Sequence, residues 1–149
     1  MQQLSSHGYC FVCGTENPHS IGANWYLKED GSIFGDITLT KYQQGAPGIA
    51  HGGATAALLD EAMGAAVWEA GHKALARRLE VEYHRPVFLG INVQVVARVE
   101  NVDGKNVQAC GELLLPNGKV AVTARGIYVE AGDLISRLFS KLDGEKSWP

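Results

Sequence analysis

Asp60 is an acidic residue in an unusual setting. It lies seven residues after Gly53 in a stretch rich in Gly and Ala, so the two residues would share one face of a helix. A carboxylate on a tightly packed face of small residues costs on the order of several kcal/mol unless it is paired or has chemical work to do. The pattern therefore predicts either an acid–base group at Asp60 or, together with Glu61, a solvated strip of the helix. Periodicity alone leaves both open.

Glycines precede this stretch at the point where a helix would begin. In the segment His51-Gly52-Gly53, free backbone N–H groups and the positive end of the helix dipole would form a site for an anion or an oxyanion. Adjacent glycines also allow a ligand to approach the backbone closely. A carbonyl group bound there would be polarised, because its developing negative charge would face these N–H groups. His51 by itself is more typical of a helix cap, and it gains functional meaning from its neighbours.

A second group of reactive side chains lies near the N-terminus. Cys10 and Cys13 have the CxxC spacing, and with His7 and His19 on either side they could supply four metal ligands. Zinc sites usually contain a second pair at longer spacing, whereas these four residues fall within thirteen positions. The sequence therefore favours no metal and no cofactor. Redox activity of the pair is disfavoured as well, because no βαβ pattern follows it.

Composition limits the partners and the compartment. The formal net charge is −3, which disfavours binding to nucleic acid or to an anionic membrane surface. The sequence has no pattern of a signal peptide or a membrane span, and its three cysteines are an odd number without framework spacing. We therefore expect a cytoplasmic globular protein.

Basic residues are concentrated in one short stretch of this mildly acidic chain. Arg77, Arg78 and Arg85 lie there, together with a lysine and two histidines. Such groups could hold phosphates as point charges or as bidentate pairs. They could equally be ordinary surface charges on a strand edge or a loop.

Hydrophobic periodicity predicts the elements that would position these residues. The segment 52–70 predicts a long helix, because its Ala, Leu and Met content favours helix and Gly71 stops it. Strands are predicted at 23–28 and 33–40 before the helix, and around 79–83 and at 91–102, 106–115 and 120–130 after it. Tight turns join most of the last four strands, and a short terminal helix follows at 131–142. The order β-β-α-β-β-β-β indicates an α+β fold with one helix facing one antiparallel sheet.

The predicted central helix is apolar on two sides. On a helical wheel Leu58 and Leu59 lie on one side, whereas Gly53, Gly64 and Val67 lie on the other. A helix that is apolar all round is buried all round. One sheet covers only one side of it, unless the sheet curls around the helix or a second copy of the protein covers the rest.

Three segments carry a resemblance to a known family. The segment His51–Ala62, which reads HGGATAALLDEA, closely resembles the helix motif of hotdog-fold acyl-CoA thioesterases of the PaaI-like group. The segment 79–87 (LEVEYHRPV) is similar to the strand that follows the helix in that group. CFVCG at 10–14, followed by Asn17-Pro18, is similar to the N-terminal segment of many bacterial members. The resemblance covers about residues 9–130, and the nine-residue spacing from His51 to Asp60 is fairly specific.

The resemblance implies a curved antiparallel sheet wrapped around the helix, two protomers joined edge to edge, and usually a dimer of such dimers. It also implies active sites shared between protomers. The Gly53 N–H, assisted by His51, would hold the thioester carbonyl, and Asp60 of the other protomer would act as general base or nucleophile. We therefore expect hydrolysis of an acyl-CoA thioester to a free acid and CoA.

The remaining predicted site residues are those expected to contact the substrate. They are Gly52, Glu61, Ala76, Arg77, Arg78 and Arg85. The segment 1–22 is expected to be irregular, 23–130 to form the hotdog domain, and 131–149 to add a C-terminal helix and tail.

Two positions depart from the pattern of the family. Many relatives carry Ser or Thr where this chain has Ala76, and the hydroxyl helps to position the attacking water. Some carry Asn at the position of Gly45, although Gln43 and Gln44 lie nearby and could substitute for it. A non-catalytic acyl-CoA-binding hotdog protein, acting as a sensor or carrier, is therefore the alternative, with a hotdog dehydratase as a weaker third option. Asp60 favours hydrolysis, since a protein that only binds gains nothing from a carboxylate there.

Overall fold

The computed structural model describes residues 1–144, which form one antiparallel sheet, one long central helix and a terminal helix. The central helix α1 spans Gly52–Glu69, the terminal helix α2 spans Gly132–Gly144, and a short 3-10 helix, Lys41–Gln43, precedes α1. The tail predicted at 145–149 lies outside the described residues. The strands are β1 (Gln2–Gln3), β2 (Trp25–Leu27), β3 (Ile33–Thr38), β4 (Ala74–Tyr83), β5 (Asn92–Asp103), β6 (Asn106–Leu114) and β7 (Val120–Glu130).

The sheet has the order β1-β2-β3-β5-β6-β7-β4, and every neighbouring pair is antiparallel. The predicted α+β fold is confirmed, and the structure adds β1 within the segment expected to be irregular. One other expectation was wrong: strand β4 begins at Ala74 rather than near Leu79. The strand pairs with β7 at the edge of the sheet. Because β4 is an edge strand, its first half is almost wholly exposed and lacks the alternation that marks a half-buried strand.

Helix α1 lies across the sheet, and strands β2 to β7 all contact it. Its sheet-facing side carries Leu58, Leu59, Met63 and Val67, which are fully buried. These side chains join the inward-facing apolar residues of the strands in one core. Burial of each contributes about 1.5–3 kcal/mol, so this side fixes the helix on the sheet. Val67, which the sequence assigned to the opposite side, belongs to the buried side.

The opposite side of α1 consists of small residues and is only partly covered. Ala56, Ala57, Asp60 and Gly64 are half-buried, and Gly53 is exposed. The sheet of one chain therefore covers one side of the helix, and cover of the other side by a second copy stays a prediction. The chain presents a stripe of small residues at its surface, with Asp60 in the middle.

A capping side chain begins α1, and a glycine with positive φ ends it. The His51 side chain caps the first turn, and Gly71 ends the helix with φ of +96°, a conformation that other residues rarely adopt. Further along, α2 confirms the predicted terminal helix and is anchored by the buried Ile135. No helix within residues 1–144 is long and apolar enough to cross a bilayer.

Candidate active site

The first turn of α1 is organised by His51. The backbone N–H of Gly53 donates to Nδ1 of His51 at 2.8 Å, which satisfies one of the free donors of the helix start. This bond assigns Nδ1 as the acceptor, so a neutral His51 ring carries its proton on Nε2. The Gly53 N–H that the sequence assigned to the substrate carbonyl is thus already engaged within the chain.

Tyr83 braces the same turn from the end of β4. Its hydroxyl donates to the carbonyl of Gly52 at 2.8 Å, and the Thr55 hydroxyl donates to the same oxygen at 3.0 Å. A Cβ on Gly52 would lie only 3.2 Å from the Tyr83 ring, so glycine permits this close approach. Sequence reasoning missed Tyr83, because a tyrosine in a strand is an ordinary residue.

A groove of about 900 Å³ opens at this turn. The N-terminal segment forms one wall and the loop around the 3-10 helix forms the other. A volume of this size lies within the usual range of small-molecule sites, about 300–1,000 Å³. Its lining includes Phe11, His19, Tyr42, Gln44, His51 and Gly53. The structure therefore brings His51 and Gly53 to a ligand-sized space.

Gln43 and Gln44, the nearby amides that could replace the missing asparagine, both line this groove. The Gln43 side-chain oxygen accepts the N–H of Thr40 at 2.9 Å, and that of Gln44 accepts the N–H of Gly48 at 3.0 Å. Their oxygens thus hold the loop that forms the groove wall.

Asp60 is held by a residue that the sequence did not single out. The Tyr128 hydroxyl, from β7, donates to Oδ1 of Asp60 at 2.8 Å and to its backbone carbonyl at 3.0 Å. Burial, and then the nearby Asp60 carboxylate, raise the pKa of Tyr128 well above its ordinary value, so it remains a hydrogen-bond donor. Tyr128 fixes the carboxylate at the middle of the small-residue stripe.

Two features of the sheet make room for this contact. A Cβ on Gly126 would lie 2.6 Å from the Tyr128 ring, so the glycine leaves space for the ring on the same face of β7. Ala76 is the cross-strand neighbour of Tyr128 on β4. The hydroxyl that reaches Asp60 therefore comes from β7, whereas β4 contributes only a methyl group. A glycine two residues before a strand tyrosine was the one sequence signal that could have pointed to it.

The two parts of the predicted catalytic set are far apart in one chain. Asp60 follows Gly53 by seven residues of continuous helix, which at 1.5 Å per residue is about 10 Å. A single thioester carbonyl is too small to touch both. One chain therefore brings His51, Gly52 and Gly53 together and leaves its own Asp60 apart from them.

Glu61 is not among the residues that line the groove, and it contacts the N-terminal segment. Its Oε1 lies 2.9 Å from Sγ of Cys13 and 3.4 Å from Sγ of Cys10, and 3.5 Å from Nδ1 of His7. The sequence assigned Glu61 to substrate binding, but its contacts join α1 to the cysteine pair. His19, the other histidine near that pair, lines the groove instead.

The predicted phosphate-binding arginines are not gathered into one pocket of a single chain. Arg77 and Arg78 are exposed on β4, and Arg78 is paired with Glu80 at 2.7 Å. Arg85 lies beyond the end of the strand, where it donates to the carbonyl of Val120 at 2.6 Å. Their role in substrate binding stays a prediction.

Comparison with known proteins agrees with the fold and the motif. The chain matches the family model of the thioesterase superfamily over residues 47–122, about half of its 149 residues. It is 33% identical over 106 residues to acyl-coenzyme A thioesterase THEM4 of Bos taurus, covering 71% of this chain and 39% of that protein. It is 37% identical over 67 residues to THEM4 of Xenopus laevis, covering 44% and 30%. The chain spans about two-fifths or less of the length of these curated relatives.

Solved structures show the same architecture. A thioesterase superfamily protein superposes with a TM-score of 0.80 at 32% identity, covering 83% of this chain and 61% of that one. The PaaI protein of E. coli gives 0.70 at 22% identity, covering 75% and 81%. A Streptococcus mutans protein solved with acetyl-CoA gives 0.70 at 16% identity, covering 74% and 89%. The hotdog fold is thus confirmed, and with the family model matching half of its length, the chain belongs to the thioesterase superfamily.

Proposed function

We propose that the chain hydrolyses acyl-CoA thioesters, with the carbonyl bound at the first turn of α1 and Asp60 of a partner subunit acting on water. The observation that carries this proposal is the state of Asp60, a half-buried carboxylate in a stripe of small residues. Within residues 1–144 only its Oδ1 accepts a hydrogen bond from a side chain, which leaves Oδ2 available. Oδ2 is not among the buried unpaired atoms of the described residues, so a water molecule can reach it.

His51 supplies the donor for the carbonyl. With Nδ1 occupied by the Gly53 N–H, the proton on Nε2 is the one that can be donated to a ligand. The positive end of the α1 dipole lies at the same place and favours the developing oxyanion. Gly53 then acts as a positioning group for His51.

The chemical step needs one water molecule. Water attacks the carbonyl carbon, its proton passes to Oδ2 of Asp60, and the carbonyl oxygen becomes an oxyanion held by His51. The C–S bond then breaks, and the proton moves from Asp60 to the departing sulfur. The products are a carboxylic acid and the CoA thiol. Direct attack by Oδ2, giving a mixed anhydride that water opens, is the other use of the same residue.

A dimer is required because the two groups lie about 10 Å apart in one chain. Strand β4 offers the surface: it is a sheet edge with unpaired backbone groups, and Leu75 and Leu79 on it are 48% and 38% exposed. An open edge of ten residues offers backbone groups with which a strand of another chain can pair. Pairing of β4 with a second copy would cover it, giving a homodimer that can associate further into a tetramer.

The substrate class comes from the relatives. The THEM4 proteins are named acyl-coenzyme A thioesterases, and the Streptococcus mutans protein was solved with acetyl-CoA. The groove beside His51 has room for part of such a ligand.

A panel of short, medium, long and aromatic acyl-CoA thioesters tests the proposal. The unmodified protein should hydrolyse at least one of them, and Asp60→Asn should lower kcat by about 10²–10⁴-fold, the usual contribution of a general base. Asp36→Asn is the matched control, because Asp36 is exposed on β3. Turnover of no substrate, or full activity of Asp60→Asn, would reject the proposal.

A protein that binds acyl-CoA without hydrolysing it is the second candidate. The observation in its favour is Ala76, which gives β4 a methyl group where many relatives have a hydroxyl. We prefer hydrolysis because Tyr128, the cross-strand neighbour of Ala76, supplies a hydroxyl to Asp60. Tight binding of acyl-CoA by calorimetry, with no turnover by the folded protein, would favour the second candidate.

A further inference from the structure

Four side chains with metal-ligating atoms meet between the N-terminal segment and α1. They are His7, Cys10, Cys13 and Glu61, and one donor atom from each lies within 4.8 Å of all the others. Three come from a seven-residue stretch, and the fourth lies 48 residues after Cys13. None of the four residues is among those that line the groove, and none takes part in the proposed chemical step.

The spacing of these atoms suits a tetrahedral ion. Ligand bonds of about 2.0–2.3 Å at tetrahedral angles place neighbouring ligand atoms roughly 3.3–3.8 Å apart. Here Cys13 Sγ lies 3.5 Å from His7 Nδ1, and Glu61 Oε1 lies 3.5 Å from the same nitrogen and 3.4 Å from Cys10 Sγ. The contact of 2.9 Å between Cys13 Sγ and Glu61 Oε1 is the short one, and it would open by about half an ångström around an ion.

Backbone hydrogen bonds hold the loop that carries the two cysteines in a tight turn. The N–H of Val12 donates to Sγ of Cys10 at 3.4 Å, which holds this sulfur in place within the loop. The N–H of Gly14 closes the turn on the carbonyl of Cys10 at 2.9 Å. A Cβ on Gly14 would lie 2.4 Å from the backbone of Cys10 and of Gly8, so only glycine fits there. This backbone holds the two sulfurs on the same side as Glu61.

The four side chains are held close together in a partly buried space. Cys13 is buried, Glu61 is half-buried, and the Cys13 thiol donates to the Glu61 carboxylate at 2.9 Å. Two thiols and a carboxylate lie together in this space, and the exposed imidazole of His7 is the one group of the cluster that can carry a positive charge. A divalent cation would displace the two thiol protons and neutralise most of the resulting charge of −3.

We propose that His7, Cys10, Cys13 and Glu61 bind one zinc ion, which fastens the N-terminal segment to helix α1. Two sulfurs, one imidazole nitrogen and one carboxylate oxygen in tetrahedral proximity are a donor set for zinc rather than for magnesium or calcium. With four protein ligands the site is closed and structural. This revises the expectation of no metal, and it replaces His19, the ligand suggested by the sequence, with Glu61.

The site has a consequence for the groove. Phe11, which follows Cys10, and His19 both lie on the wall formed by the N-terminal segment. Zinc would fix that wall to α1 beside Asp60. Its removal should therefore raise KM for the substrate more than it lowers kcat. This consequence rests on the proposed hydrolysis, whereas the binding of zinc does not, so the two can fail separately.

Metal analysis of the 149-residue chain purified without chelators tests the proposal. It should contain about one zinc ion per chain. After removal of the zinc under reducing conditions, titration with cobalt(II) should give a thiolate-to-metal charge-transfer band and the strong visible absorption of a tetrahedral site. Cys13→Ser and Glu61→Gln should each weaken the affinity by more than about 100-fold, since even outer-shell partners change metal affinity about 10–100-fold.

Two controls make the outcome specific. Cys110→Ser removes the third thiol, which is buried on β6, and burial followed by Glu100 raises the pKa of Cys110 to about 11. His19→Ala removes the histidine that faces the groove. Neither should change the metal content. The proposal is overturned if the unmodified protein takes up neither zinc nor cobalt, or if Glu61→Gln binds as tightly as the controls; Glu61→Gln keeps the test valid should Cys13→Ser fail to fold.

Discussion

Asp60 and Glu61 are neighbours on helix α1 and both are half-buried, yet they meet different surroundings. Asp60 accepts the hydroxyl of Tyr128 and lies among small residues at the surface. Glu61 faces two thiols and an imidazole. Consecutive helical residues are turned by about 100°, so one carboxylate lies on the small-residue stripe and the next faces the N-terminal segment.

One chain supplies all four residues of the cluster that contains Glu61, but it cannot complete the site proposed for Asp60 by itself. The four donors of the cluster, of which Glu61 is one, all come from one chain and lie within 4.8 Å of each other. Asp60, by contrast, is about 10 Å from the first helix turn of its own chain, and it is proposed to work with that turn in a partner subunit. Changes that separate two subunits should therefore abolish the chemistry of Asp60 and leave the cluster around Glu61 intact.

The largest expected effect is that substitutions at two adjacent residues have opposite consequences, one for activity and the other for zinc binding. Asp60→Asn should lower kcat by about 10²–10⁴-fold and leave the zinc content unchanged, because it removes the proton acceptor alone. Glu61→Gln should lose zinc and lower kcat by no more than about tenfold, because it removes a ligand of a structural ion. Kinetics and metal analysis of the same preparations measure both. Equal losses of kcat would show that the two carboxylates are not divided in this way.

The next effect concerns the sheet edge. Leu79→Lys places a charge on the exposed face of β4, and like charges brought together between two copies cost on the order of several kcal/mol. The variant should be monomeric by light scattering and inactive, while it retains its zinc. Leu134→Lys is the control, because Leu134 is similarly exposed, at 47%, but lies on α2. A monomeric variant with full activity would contradict the shared site.

A smaller effect is expected at Tyr128. Tyr128→Phe removes the hydrogen bond to Asp60, and a bond to a charged group is worth about 1.5–3 kcal/mol, so kcat should fall by about tenfold or more. KM should not change, because Tyr128 positions the carboxylate and does not bind the substrate. Tyr26→Phe on β2 provides a matched loss of one hydroxyl. A rise in KM at constant kcat would argue against the positioning role.

The smallest effect is on stability at alkaline pH. The pKa of Tyr128 is raised in the folded protein, so above about pH 10, where the unfolded tyrosine releases its proton, the folded state binds the extra proton. The free energy of unfolding should then fall as pH rises, with this residue contributing about 1.4 kcal/mol per pH unit. Tyr128→Phe should show a shallower decline in denaturant melts between pH 10 and 12. The same slope in both proteins would show that Tyr128 titrates normally.

Much of the fold could be predicted from the sequence. The helix was predictable because Ala and Leu fill the segment 52–69 and Gly71 ends it, and five of the seven strands were predicted at nearly their full extent. The first half of β4 was not, because its side chains are exposed and follow no period. The position of β4 beside β7 could not be predicted either, since a sequence pattern does not specify which edge a strand joins.

The candidate site could be predicted only where its residues lie close together in the sequence. His51 and Gly53 meet because they are two residues apart, and the capping bond follows from that spacing. Tyr128 reaches Asp60 from 68 residues away, and Glu61 reaches Cys13 from 48 residues away. Both contacts depend on how the helix is rotated on the sheet. All the core contacts together determine this rotation, so no single motif predicts it.

Mixed dimers test the central claim most directly. Asp60→Asn and His51→Ala chains carrying different tags are co-expressed, and the heterodimer is purified. If each site takes His51 from one subunit and Asp60 from the other, the heterodimer contains one intact and one doubly defective site, whereas each homodimer has two defective sites. We predict about half of the activity of the unmodified dimer for the heterodimer and nearly none for either homodimer. A folded heterodimer as inactive as its parents would contradict a shared active site.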